Sequence, residues 1–199
     1  MGITPRTRVL NSLFAPDERQ QRAARLNWYS SILELIDLRS FSNLWFWIAL
    51  AVVWSSVSHW VLGVPYDMIQ RARRVGGQAQ TDLEDIARVN VNRLLYIGRV
   101  SGLWILGFIS FALSGLAVLG FWYEVEFAQA VFLLGFPMSL VGLLNLSTAR
   151  LLESEGATGE LLQKRLGRLR LYTQIIGMAA IFVTSLWGMY QNMSIGVLG

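Results

Sequence analysis

Cysteine is absent from the 199 residues. That excludes disulfides, thiolate metal sites, iron–sulfur ligation by cysteine and a cysteine nucleophile. Histidine occurs once, at His59, so one copy of the chain cannot offer haem a second imidazole across a bundle. Charge is scarce as well. Asp, Glu, Lys and Arg make up 15% of the chain, against about 25% in a soluble domain. The sequence also lacks a phosphate-binding GxxxxGK[ST] loop, HExxH, GxGxxG, a GxSxG elbow with triad partners and a filter-like run. No catalytic, cofactor-binding or metal-ligating residue is assigned, and no enzyme is expected.

What the chain does have is long uncharged stretches. Residues 44–62 read LWFWIALAVVWSSVSHWVL, which as a helix would reach about 28 Å, close to the hydrocarbon thickness of a bilayer. Three similar runs follow at 102–122, 127–146 and 171–190. The expected fold is all-α, a polytopic membrane helix bundle of about four transmembrane helices plus cytoplasmic amphipathic helices, forming one membrane domain over residues 1–199. Trp45, Trp47 and Trp60 flank the first run, as a headgroup belt would have it. The net charge of +4 does not point to nucleic acid, because the basic residues border the apolar runs and face anionic lipid.

Before the first run lies a basic segment, residues 1–43. Pro16, Asp17 and Glu18 read as a helix start. Leu26, Tyr29, Leu33 and Ile36 then share one face, so an interfacial amphipathic helix is expected, or else a lead-in to the first span. No cleavable signal is expected, and Arg6 stands where N-myristoylation needs Ser or Thr. Gly63 and Pro65 stop the first span, and Gly76-Gly77 ends a short helix carrying Arg71, Arg73 and Arg74. Thr81 and Glu84 have capping-box spacing. The four-residue connection 123–126 makes spans two and three antiparallel neighbours. Residues 150–159 read as a loop, and Thr158 as a cap for the last helix.

Lys and Arg are absent between spans two and three and after span four. These segments belong outside the cytoplasm and the two longer loops inside. Four full spans then put the N-terminal segment outside, although it carries Arg6, Arg8, Arg19, Arg22, Arg25 and Arg39. The first run therefore either crosses against that charge or re-enters on the cytoplasmic side. Its length, with no helix breaker before Gly63, favours crossing.

Functional candidates are few. His59 lies within the first run, and with Ser55 and Ser58 it shares one side of the helix. A proton path, a pore lining or a pH sensor would use such a face, but a hydroxyl-bonded interfacial histidine is the plainer reading. Pro137 sits mid-span and should kink its helix, as a hinge or a broken transporter helix would require. Glu34 and Asp37 read as a solvated helix face. Gln129, Asn145, Gln174 and Asn192 read as interhelical glue, and Gly177, Ala180, Thr184 and Gly188 as a packing stripe. Expected partners are membrane lipids, with other membrane subunits or a second copy.

The runs at 28–31, 36–45, 54–68, 90–97, 126–142 and 181–192 resemble a family of small alphaproteobacterial integral membrane proteins. The resemblance covers residues 27–192. Members are often described as components of the Suf iron–sulfur assembly complex. The resemblance implies a multi-pass protein of the bacterial inner membrane and transfers no site residue. The function expected is that of a non-catalytic accessory, scaffold or assembly protein. A small oligomeric channel or transporter is the alternative.

Overall fold

The computed structural model describes residues 40–196, and the fold there is almost wholly helical. The basic lead, its expected interfacial helix, and Glu34 and Asp37 lie outside the described residues. A 3₁₀ turn, Ser40–Ser42, precedes helix α1, Leu44–His59. A two-strand hairpin follows (β1, Trp60–Val61; β2, Val64–Pro65) and leads into α2, Tyr66–Val75. Helix α3, Gly77–Ala117, ends in a π turn, Val118–Trp122. Helices α4, Glu126–Glu155, and α5, Gly159–Gly196, complete the bundle.

Three of these helices are long and apolar enough to cross a membrane, over Gly77–Trp122, Glu126–Glu155 and Gly159–Met193. Helix α1 is apolar but has only 16 residues, about 24 Å of rise. The first run was expected to stay helical to residue 62; it leaves the helix at His59 instead. Val61 pairs with Val64 across a two-residue turn in which both Leu62 (φ 54°) and Gly63 (φ 73°) are left-handed. That conformation is strained for leucine. Burial offsets the strain, because Val61, Leu62 and Val64 all enter the core. Asn90 Nδ2 donates to the Gly63 carbonyl at 3.1 Å and holds the turn against α3.

There are two cores. One gathers the hairpin with Ile69 and Ala72 of α2, Leu83, Ala87, Val91 and Leu95 of α3, Ala149 and Leu152 of α4, and Leu162, Leu166 and Leu169 of α5. All eleven Lys and Arg residues after Pro65 lie on the helical segments around this core, here termed the basic end. The second core lies among the apolar stretches of α1, α4 and α5. It packs Leu50 and Trp54 of α1 against Val141 of α4 and Ala180 of α5.

Helix α1 runs antiparallel to α5. A Cβ on Gly177 would lie 2.8 Å from the Trp54 ring, and one on Gly188 would meet Trp47 and Phe41 at 3.1 and 3.3 Å. The expected stripe of Gly177, Ala180, Thr184 and Gly188 is buried along its length. It receives the large side chains of α1, which explains why α1 turns its small and hydroxyl face outward.

Two local expectations fail. Helix α3 begins at Gly77, four residues before Thr81, so the capping box does not form. The Thr81 hydroxyl reaches back only to the Gly77 carbonyl, at 3.5 Å. Helix α4 continues to Glu155, so the loop expected over 150–159 shrinks to Gly156–Thr158. Gly156 takes the left-handed cap position at φ 54° that favours glycine.

Candidate functional site

The sequence candidates do not converge on a centre. Ser55 and His59 are exposed, and Ser58, one turn after Trp54, is half-buried. The His59 ring packs edge-on to Trp60, with centroids 6.0 Å apart. Pro137 is buried, and α4 is helical without interruption through it, so it does not divide the span into two half-helices. Ser139 Oγ donates to the Phe136 carbonyl at 2.6 Å beside the proline.

The polar groups that do converge form two clusters. At the end opposite the basic end, Gln129 is 2% exposed. Its Nε2 donates to the Gly120 carbonyl at 2.8 Å. Its Oε1 accepts from Trp187 Nε1 at 2.8 Å and from Gln191 Nε2 at 2.5 Å. One amide thus ties α4 to the π turn and to α5. Gly120 must be glycine here, because a Cβ would sit 2.9 Å from the Gln129 backbone nitrogen. Phe121 packs against both Phe132 and Trp187, at 5.5 and 5.3 Å, and shields the amide. Beside it, Glu126 Oε1 accepts from the Phe41 amide at 2.7 Å, and Ser42 Oγ donates to Asn192 Oδ1 at 2.7 Å. The segment before α1 is therefore fastened to α4 and α5 at this end. Gln129 and Asn192 fulfil the interhelical role expected of them.

At the basic end, the Arg170 guanidinium lies 3.4 Å over the Tyr66 ring, a cation–π contact joining α2 to α5. Arg73 Nη2 donates to the Gln163 carbonyl at 3.0 Å. The Gln70 hydrogen bond holds the Tyr66 phenol below its ordinary pKa against the opposing effect of burial, and Arg170 and Arg73 add to the lowering. Glu84 accepts from Gln80 Nε2 and from the Gly159 amide, both at 2.7 Å, and these bonds lower its pKa, the Gln80 bond foremost. Arg165 pairs with Glu155 across the α4–α5 loop, and Arg99 Nη2 with both oxygens of Glu153 at 2.7 and 2.8 Å.

The Glu84 contacts have a pH signature. A carboxylate whose folded pKa is depressed stabilises the fold fully above its unfolded pKa, and the contribution disappears as pH falls through the folded value. The Tm difference between the native chain and Glu84→Gln should be largest near neutrality, no more than about 4 °C. It should close on acidification below the ordinary glutamate range near pH ~4.3. Thermal unfolding in detergent at graded pH measures it.

Among the described residues, three buried polar side-chain atoms have no hydrogen-bond partner: Trp54 Nε1, Thr184 Oγ1 and Arg170 Nε. The first two belong to helices of the α1–α5 seam. Among the described residues no three His, Asp or Glu side chains gather as a metal site would need. The Gln129 cluster was legible only in part: the sequence offers a glutamine in a span, but not the carbonyl at Gly120 that a π turn turns towards it. No protein-family model, curated protein or solved structure matches the chain.

Proposed function

We propose that the chain is a non-catalytic accessory, scaffold or assembly protein of the bacterial inner membrane. One observation carries the reading: among the described residues, none of the others fully buries any part of the most apolar stretch of α3, which meets α4 along one side only partly. No residue of its most apolar 18-residue window is buried, and Gly102, Gly107 and Gly115 have no neighbour within 4 Å of where a side chain would begin. Small residues on an open helix face let a second helix approach closely. The resemblance to Suf-associated membrane proteins fits a membrane tether, since the chain has no cysteine to hold a cluster. Isolation of the tagged chain in mild detergent should co-purify a defined membrane or membrane-bound partner. Recovery of the chain alone, with lipid, would overturn the proposal.

This reading includes α1 as a fourth span. Its support is the contact of Phe41 with Glu126 at one end and of the hairpin with the basic-end core at the other. In the cysteine-free chain, Ser42→Cys and Glu124→Cys should react with an impermeant thiol reagent applied from outside. Gln70→Cys and Ser154→Cys should not. Labelling of positions 42 and 70 from the same side would exclude the crossing.

A second reading, an oligomeric channel, is favoured by the outward position of Ser55 and His59. Around a symmetry axis these groups would line a path. Liposome flux abolished by His59→Leu would support it, and the absence of flux would remove it.

A further inference from the structure

We infer that a notch between α3 and α4 at the basic end binds the phosphate of an anionic phospholipid headgroup. The notch has a volume of ≈ 190 Å³ and is lined by Leu95, Gly98, Arg99, Leu146, Arg150 and Glu153. Its floor is apolar and its rim charged, the two surfaces that a lipid's glycerol region and its phosphate require.

Depth comes from the sequence. On α3, Arg99 is the last charged residue before Glu124; on α4, Arg150 is the first after Glu126. Both guanidinium groups therefore stand where the apolar spans end, at headgroup level. Gly98 keeps the floor open, and a Cβ there would lie 3.0 Å from Leu146 Cδ1.

Charge selects the ligand. Both oxygens of Glu153 are taken by a single nitrogen of Arg99, which leaves the other donors of that guanidinium available. Arg150 is exposed and has no polar partner among the described residues. The notch is therefore net positive, and arginine's planar fork suits phosphate oxygens. The adjoining cleft of ≈ 370 Å³ has Glu84, Asp85 and Glu153 against Arg88, a balance that turns an anion away. The inference rests on α3 and α4 lying in a membrane and is independent of the accessory role.

Native mass spectrometry of the full chain from detergent tests it. The chain is offered equimolar phosphatidylglycerol and phosphatidylcholine of matched acyl chains. Phosphatidylglycerol should be retained about fivefold better, the ratio expected for one interfacial arginine. Arg150→Gln should abolish the preference, Arg150→Lys should keep part of it, and Arg71→Gln should leave it intact. Leu146→Trp, which narrows the notch without altering charge, should also lower retention. Three results would overturn the inference: no preference in the native chain, equal loss in Arg71→Gln and Arg150→Gln, or displacement of the lipid by an equal concentration of inorganic phosphate.

Discussion

Gln129→Leu should loosen the end of the bundle opposite the basic end. Leucine fits the space but satisfies none of the three groups that the amide holds: the Gly120 carbonyl, Trp187 Nε1 and Gln191 Nε2. Hydrogen bonds between membrane helices contribute about 0.6–2 kcal/mol each. The expected loss is about 2–4 kcal/mol, a fall in Tm of about 5–15 °C. Trp187→Phe removes one donor and should cost about a third as much. Differential scanning of the purified chain in one detergent compares the variants. A Gln129→Leu protein as stable as the native chain would mean that the cluster is decorative.

Gly177→Leu should detach α1 from α5. The first carbon alone would stand 2.8 Å from Trp54 Cε3, and Trp54 is 3% exposed with nowhere to retreat. Overpacking of a filled core costs about 1–3 kcal/mol, and more when the neighbour is rigid. The absence of cysteine gives a clean assay. Ser42→Cys and Asn192→Cys, at positions whose side chains hydrogen-bond in the native chain, should cross-link on mild oxidation. Adding Gly177→Leu should abolish the cross-link, and further adding Trp54→Ala should restore it, because the two residues are energetically coupled. A cross-link that survives Gly177→Leu would show that the seam does not seat α1.

Much of this packing can be read from residue type, but its pairing cannot. The spacing of Gly177, Ala180, Thr184 and Gly188 marks a buried stripe on α5 without saying what fills it. On α1 the small residues Ala51 and Ser55 stay exposed, and it is Trp47, Leu50 and Trp54 that go inward. Two small faces leave a gap, and a large face opposite a small one closes it; the choice is made only when both helices are present. The hairpin was illegible for a related reason. Leucine at φ 54° is locally unfavourable, and only the core beneath Leu62 repays it. The capping signal at Thr81 and Glu84 lost to Gly76-Gly77, whose backbone freedom moved the helix start upstream. The short connection before α4 was plain from its length, though it is one residue shorter than expected because Glu126 joins the helix. Residue type pointed to the glue role of Gln129 and Asn192, while Asn145 and Gln174 make no hydrogen bond among the described residues. The arginine notch needed two helices side by side.

The continuity of α3 has a mechanical consequence. Forty-one residues without a break make a rod of about 60 Å. Its first half is gripped by the hairpin and α2, and its second half meets α4 along one side, where Leu113 lies against Gly135. In a bilayer, such a rod would meet a change of thickness chiefly by tilting. Tilting would carry Leu83 and Ala87 with it, and these share one core with Val61, Leu62 and Val64 of the hairpin, so the hairpin would follow the rod.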